Sequence, residues 1–199
     1  MEATKRGGRS WPGPIVWLVG GITLAGLLLR LPSFDDSMFA DELSTYFVVN
    51  GFGTGDVMDL INGKQESTPP LYYKLAELTK GSDEGLRLVP LLAGIASIPM
   101  TYNLGRKTVG QQSAVVGSAL MAVSPFLIYY STEARGYSLA LACSLASTIF
   151  MVNALETGRR ELWVLYAFAS AGAAYSHYTA AFVLAAQLAW AFLFRPEAR

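Results

Sequence analysis

The stretch GYSLALACSLASTIFMVNAL, residues 136–155, contains no Asp, Glu, Lys or Arg. A helix rises about 1.5 Å per residue, so a stretch of this length covers roughly the 30 Å thickness of a bilayer's hydrocarbon core. Charged side chains flank it directly, with Arg135 before it and Glu156 after it. The stretch therefore predicts a helix that crosses a membrane.

Five further stretches share this apolar character and lie at residues 15–31, 87–104, 113–130, 162–176 and 178–194. The whole chain is 52% hydrophobic and only 15% charged, which is more apolar than an ordinary soluble domain. We therefore expect an all-α integral membrane protein with about six transmembrane helices. Lys plus Arg and Asp plus Glu are equal at 15 each, so the net charge gives no reason to expect a nucleic-acid partner.

A longer polar segment, residues 32–86, separates the first two predicted spans. It contains weak helical patterns at residues 41–50 and 70–80, and Pro69 and Pro70 suit the entry to the second of these. Both patterns predict short interfacial helices in a first outer loop.

The charged residues divide between the two ends of the predicted spans. If the N-terminus is cytoplasmic, nine of the 15 basic residues fall in inner segments, including the pairs at 106–107 and 159–160. Eleven of the 15 acidic residues fall on the other side. The positive-inside rule favours this orientation, which places residues 32–86 in the first extracytoplasmic loop.

The last two predicted spans are short and meet near His177, where the sequence has neither Gly nor Pro. Two short helices would end below the membrane surface and leave a recessed cavity there, because irregular backbone at that depth must face protein or water. The alternative is one long tilted helix through residues 162–194.

Three connectors carry the side chains best suited to chemistry, and each has a simpler structural explanation. Asp41 and Glu42 open a predicted helix, where acidic residues often serve as caps. Glu133 and Arg135 lie in a short outer connector, where they could form an ion pair or bind a phosphate. His177 is the only histidine and could be a packing residue.

The predicted topology brings all three connectors to the same outer face, which favours one site over three unrelated structural roles. The sequence has no Walker loop, GxGxxG, GxSxG, HExxH or paired CxxC motif. Nucleotide-binding, serine-hydrolase and structural-zinc functions therefore lack support. The expected feature is a membrane cavity with acids, an arginine and a histidine at its outer mouth.

Eight short motifs along the chain resemble those of the GT-C glycosyltransferases. The similarity is to the dolichyl-phosphate-mannose protein mannosyltransferase-like group, whose bacterial relatives use polyprenyl-phosphate sugars. The motifs are RLP at 30–32, FADE at 39–42, TPPLYY at 68–73, LRLVP at 86–90, LGRK at 104–107, SPFLIYY at 124–130, EARGY at 133–137 and YSHY at 175–178.

This resemblance implies inverting transfer of a sugar from a polyprenyl-phosphate donor to a glycan, lipid or protein acceptor on the extracytoplasmic side of a bacterial cell membrane. It implies that Asp41 is the general base and that Glu42 assists it. It further implies that Arg135 holds the donor phosphate, and that Glu133 and His177 bind substrate or a divalent cation such as Mg²⁺ or Mn²⁺.

Two features depart from the family pattern. Thr68 precedes the Pro-Pro pair where many relatives have His or Lys, and the family normally continues through further spans. Residues 1–199 are therefore expected to form the N-terminal part of a GT-C-like transmembrane domain, which need not be active when isolated. The alternative function is a non-catalytic membrane subunit or lipid-phosphate-binding protein of cell-envelope assembly.

Overall fold

The computed structural model describes residues 13–34, 37–39, 41–50, 68–79 and 82–194, and every regular element in these ranges is helical. Nine α-helices occur in this described part, and two 3₁₀ turns follow the first and the third of them. The helices are α1 Pro14–Arg30, α2 Asp41–Asn50, α3 Leu71–Ala76, α4 Asp83–Thr108, α5 Gln111–Val123, α6 Pro125–Thr132, α7 Tyr137–Thr157, α8 Arg160–Ser176 and α9 Ala180–Phe194.

Three helices are long and apolar enough to cross a membrane: α1 with its following turn, α4 and α7. The predicted span 113–130 is a bent pair, α5 and α6, whose axes differ by 56°, so these criteria give at most four spans in the described part. Helices α8 and α9 occupy the last two predicted spans but have only 17 and 15 residues. The predicted number of about six is therefore not confirmed.

The ends of the helices follow local sequence signals. Ser82 caps α4 by accepting a hydrogen bond from the Gly85 amide at 3.0 Å, and Arg106 and Lys107 lie in its last turn, where the helix dipole favours cations. Gly158 ends α7 in the left-handed region at φ 68°. The chain also breaks between α8 and α9 at residues 177–179, which confirms two helices there instead of one.

Helix α4 lies at the centre and packs against α1, α5, α6 and α7. Small residues allow these close approaches, as is common where helices associate in membranes. A Cβ at Gly94 would overlap the side chain of Ser131 on α6, and one at Gly26 on α1 would overlap Ile98 of α4. Because α4 runs the length of the bundle, it links the loop at one end to the basic pair at the other.

A buried arginine donates hydrogen bonds to carbonyls at the end of α5, where the chain bends into α6. Arg30, at the end of α1, is fully buried, and its Nη1 donates to the carbonyls of Gly26 at 2.7 Å and Ala122 at 3.1 Å. Its Nη2 lies 3.5 Å from the Met121 carbonyl. The last carbonyls of a helix lack intrahelical partners, and Pro125 at the start of α6 has no N–H to offer them. Arg30 therefore donates hydrogen bonds to these carbonyls. It also places a positive charge at the C-terminal end of α5, where the helix dipole is negative.

We expect Arg30→Met to lower the free energy of unfolding by about 3 kcal/mol or more, since Arg30 makes at least two hydrogen bonds, each to a charged donor contributing roughly 1.5–3 kcal/mol, and their removal leaves buried carbonyls unpaired. Thermal unfolding of the purified protein in detergent measures this loss. Arg106→Met, which alters an exposed arginine at the other end of the bundle, is the matched control. Equal melting temperatures for Arg30→Met and the wild type would contradict the assigned role.

Candidate active site

A buried ion pair joins the start of α2 to the start of α4. The Glu42 carboxylate accepts two hydrogen bonds from Arg87, from Nε at 2.8 Å and from Nη2 at 2.7 Å. Only 7% of the Glu42 side chain and 2% of the Arg87 side chain are exposed. This bidentate geometry is the strongest form of an arginine–carboxylate contact. It fixes the first loop against the central helix.

The same carboxylate also holds the connector between α6 and α7. Glu42 Oε1 accepts a hydrogen bond from the Ala134 amide at 2.7 Å, and Thr45, one turn further along α2, donates to the Ala134 carbonyl at 2.9 Å. Arg87 additionally donates to the Phe34 carbonyl at 3.0 Å, near the end of α1. Three segments distant in sequence are thus bound at one point.

Both carboxylate oxygens of Glu42 are hydrogen-bonded, and these contacts hold Arg87 and Ala134 against the start of α2. Its partner Arg87 was not predicted as a site residue and appeared only within the motif LRLVP. The available signal was an arginine in the first turns of an apolar span, since such a charge requires a partner when it is buried. That signal could not identify which of the eleven outer acids is the partner.

Glu133 lies beside the ion pair and lines a cavity of about 430 Å³. Its Oε2 is buried and has no hydrogen-bond partner among the described residues. Burial raises the pKa of Glu133, the negative charges of Glu42 and Asp41 raise it further, and Arg135 opposes them. The other cavity-lining residues are Ser33, Ser37, Phe39, Glu42, Arg87, Pro125, Ile128, Tyr129 and Thr132.

Asp41, next to the buried Glu42, is exposed in the first turn of α2. Asp41 precedes Glu42, and Glu42 bonds the amide of Ala134, the residue after Glu133. The structure therefore brings together the three predicted acids, Asp41, Glu42 and Glu133. Asp41 is exposed, Glu133 is half-buried and Glu42 is buried.

Arg135 extends from the other side of Ala134 toward the end of the first loop. Its Nη1 donates to the Tyr73 hydroxyl at 3.2 Å, and its Nη2 donates to Thr68 Oγ1 at 3.1 Å. Thr68 is the residue that departs from the family pattern, and here it holds the guanidinium. These contacts give Arg135 a fixed orientation, which a bidentate phosphate contact requires.

His177 lies in the break between α8 and α9. Its Nδ1 is 2.8 Å from Thr179 Oγ1 and accepts from the Thr179 amide at 3.2 Å, while its ring stacks on Tyr137 with centroids 4.8 Å apart. Burial lowers the pKa of His177, and the positive charge of Arg135 lowers it further. A Cβ at Gly136, next to Arg135, would overlap the carbonyl of Ser176, next to His177, so these two connectors meet.

A row of aromatic rings connects the two parts of the site. Phe126 packs edge-to-face on Tyr130 with centroids 4.6 Å apart, Tyr130 packs on Tyr137 at 4.7 Å, and Tyr137 continues to His177. Aromatic side chains favour the boundary between membrane and water. These packed rings therefore form a continuous, largely apolar surface between the cavity at Glu133 and the break at His177.

A family model for dolichyl-phosphate-mannose-protein mannosyltransferases matches residues 71–199, which is more than half of the chain. The chain belongs to this mannosyltransferase family. It is accordingly a glycosyltransferase-like membrane protein. No curated protein and no solved structure matches it. The family match includes Arg87, Glu133, Arg135 and His177 but begins after Asp41 and Glu42.

A divalent cation in this mannosyltransferase-family chain would require a set of oxygen ligands. No group of three or more His, Cys, Asp or Glu side chains arranged to hold a metal occurs within the described ranges. The unpaired Oε2 of Glu133 and the exposed carboxylate of Asp41 nevertheless have the hard-oxygen chemistry that Mg²⁺ and Mn²⁺ prefer. The metal expectation for Glu133 and His177 stays a prediction.

Replacing Glu42 by Gln should lower the free energy of unfolding by about 3 kcal/mol or more, because it leaves the Arg87 charge buried without its partner. The double variant Glu42→Met with Arg87→Met should recover most of this loss, since it removes both charges. Thermal unfolding of the two variants and of the wild type measures the coupling. Glu161→Gln, in an exposed ion pair, is the control and should change nothing. A double variant no more stable than Glu42→Gln would contradict a charge-pairing role.

Replacing Glu133 by Gln should stabilise the protein at pH 8 and have less effect near pH 4.5. The pKa of Glu133 is raised in the folded state, so this carboxyl favours folding below its ordinary pKa and loses that contribution as the pH rises through the raised value. Melting temperatures of both proteins across this range test the prediction. A difference between them that is constant with pH would contradict it.

Proposed function

We propose that this member of the mannosyltransferase family is an inverting glycosyltransferase that moves a sugar from a polyprenyl-phosphate donor to an acceptor hydroxyl at the extracytoplasmic face. One observation carries the proposal. The connector with Glu133 and Arg135 is bound to the helix that begins with Asp41, through the hydrogen bonds of Glu42 and Thr45 to Ala134. A solvent-exposed base and an oriented cation are thereby held at one end of the bundle.

The proposed reaction needs little more than these two groups. Asp41 accepts the proton of the acceptor hydroxyl while that oxygen attacks the anomeric carbon of the donor. The bond between the anomeric carbon and the phosphate oxygen breaks, and the phosphate leaves with the bonding electrons. Arg135 stabilises the negative charge that develops on this phosphate. Attack opposite the leaving phosphate inverts the anomeric centre.

The remaining residues take supporting roles in this proposal. Glu42 positions the connector through its contacts with Arg87 and Ala134, which is the form its assisting role takes here. His177 faces the substrate from the break after α8. If a divalent cation takes part, the unpaired Oε2 of Glu133 would be one of its ligands, and the cation would supply further positive charge to the leaving phosphate.

Charge supports the proposed sidedness and location. The cluster of Asp41, Glu42 and Glu133 lies at one end of α4 and α7, whereas the basic pairs at 106–107 and 159–160 lie at the other. Basic residues favour the cytoplasmic side, so the site would face outward from a bacterial cell membrane. A polyprenyl tail in the bilayer would explain why the site is built at membrane depth.

Asp41→Asn should reduce sugar transfer by at least a hundredfold while leaving membrane insertion and the melting temperature unchanged, because it removes the base from an exposed position. Arg135→Lys should impair transfer too, since it loses the planar two-point contact with phosphate. The assay uses the full-length protein in vesicles with a polyprenyl-phosphate sugar and a hydroxyl acceptor. Glu84→Gln, at an exposed position in the first turn of α4, is the matched control.

The outcomes of this assay separate the alternatives. Full activity of Asp41→Asn would overturn the assigned base. Donor binding by the wild type without transfer would favour the non-catalytic lipid-phosphate-binding function. Loss of transfer in the chelator EDTA, with recovery on adding Mg²⁺ or Mn²⁺, is expected if the cation takes part. Transfer only to acceptors on the cytoplasmic side would overturn the proposed orientation.

A further inference from the structure

The cavity at Glu133 lies between the ends of two candidate membrane spans. One of its lining residues, Ser33, is the last residue of the span Pro14–Ser33. The opposite wall is α6, which lines the cavity from Pro125 to Thr132, a distance along the helix of roughly 10 Å. Helix α6 is one half of the bent span. The cavity is therefore part of the membrane-spanning bundle and not of a domain above it.

Aromatic side chains form the mouth of this cavity. Phe39 and Tyr129 both line the cavity, yet Phe39 is 79% exposed and Tyr129 is 57% exposed. Leu31 and Phe126, which are close in sequence to lining residues, are exposed as well. At the ends of membrane spans such surfaces contact lipid, and tyrosine is typical of the boundary between lipid and water. The mouth therefore faces the lipid at the membrane boundary.

The lining charges favour a ligand that carries no negative charge of its own. Among the described lining residues Arg87 is the one cation, and its Nε and Nη2 donate to Glu42. Glu133 adds a second carboxylate to this lining. A phosphate inside the cavity would thus meet two carboxylates and no cation of this chain other than the paired Arg87. The oriented Arg135, in contrast, extends from the other side of Ala134.

The polar lining suits a ligand rich in hydroxyl groups. Ser33 and Ser37 contribute hydroxyls, which can donate and accept hydrogen bonds, and a carboxylate such as that of Glu133 accepts them. The volume of about 430 Å³ lies in the range of small-molecule sites. In sequence, the proposed base Asp41 stands between the lining residues Phe39 and Glu42. A bound hydroxyl group is consequently presented at the start of α2.

We propose that this cavity binds the acceptor, and that the acceptor is an uncharged glycolipid of the outer leaflet. The sugar headgroup occupies the cavity, and the first acyl carbons pass between Phe39 and Tyr129 into the bilayer. One headgroup hydroxyl gives its proton to Asp41 while its oxygen bonds the anomeric carbon of the donor. Polyprenyl phosphate leaves with the electrons of the broken bond. This inference rests on the proposed function, which leaves the acceptor open.

Acceptors with the same headgroup test this assignment. The full-length protein in vesicles is given a polyprenyl-phosphate sugar with galactosyldiacylglycerol, water-soluble galactosylglycerol, phosphatidylglycerol or a Ser/Thr-rich peptide. We expect kcat/KM for galactosyldiacylglycerol to exceed that for galactosylglycerol at least tenfold, since burying about two methylene groups gives roughly this factor. Phosphatidylglycerol and the peptide should be poor acceptors. Equal or greater transfer to any of these three would overturn the inference.

Two variants link the preference to the mouth of the cavity. Phe39→Ser and Tyr129→Ser should each raise KM for galactosyldiacylglycerol about tenfold with less effect on kcat, because they remove apolar contacts with the acyl carbons. Both positions are exposed, so the melting temperature should not change. Phe168→Ser, at an exposed position on α8, is the matched control and should keep the wild-type KM. An unchanged KM in both mouth variants would overturn the inference.

Photocrosslinking separates this inference from the proposed function, because it needs no sugar transfer. A galactosyldiacylglycerol with a diazirine on its acyl chain near the headgroup should label the segments that contain Phe39 and Tyr129. Excess unlabelled galactosyldiacylglycerol should suppress this labelling, and polyprenyl phosphate should not. Labelling at the mouth without transfer to any acceptor would overturn the transferase function and leave the lipid site standing. Labelling confined to other helices would overturn the site itself.

Discussion

The buried pair of Glu42 and Arg87 is the interaction on which the candidate site depends. Removing two charges from water is costly, and the cost is offset only when the geometry is good and the remaining polar atoms are bonded. Both conditions are met here, since the pair is bidentate and also bonds the Ala134 amide and the Phe34 carbonyl. Loop, central helix and connector are consequently fixed relative to one another.

This constraint determines how the connector presents its charged side chains. Ala134 is fully buried and is bound through both its amide and its carbonyl. Because Ala134 is held in place, the side chains on either side of it extend in different directions. Glu133 lines the cavity, and Arg135 extends toward Thr68 and Tyr73. Burial, together with the close acids, raises the pKa of Glu133, which is typical of groups held for function at some cost in stability.

The sequence patterns of short stretches correctly predicted the helices that depend on interactions within those stretches. Residues 136–155 correspond to α7 Tyr137–Thr157, and residues 41–50 correspond to α2 Asp41–Asn50. The bend inside the predicted span 113–130 was not predicted, although Pro125 was visible, because a broken helix also needs donors for its free carbonyls. Arg30 provides them from about 90 residues away. Arg87 was missed for the same reason, since its partner lies in a different segment.

The buried ion pair gives the adjacent acids Asp41 and Glu42 different environments. Successive residues on a helix point about 100° apart, so α2 cannot bury both carboxylates against the same neighbour. Glu42 faces Arg87 and is saturated with hydrogen bonds, while Asp41 faces solvent. A base must be reachable by the acceptor, and Glu42 is buried against Arg87 and Ala134. Of these two adjacent acids, Asp41 is therefore the accessible one, as its proposed role as the base requires.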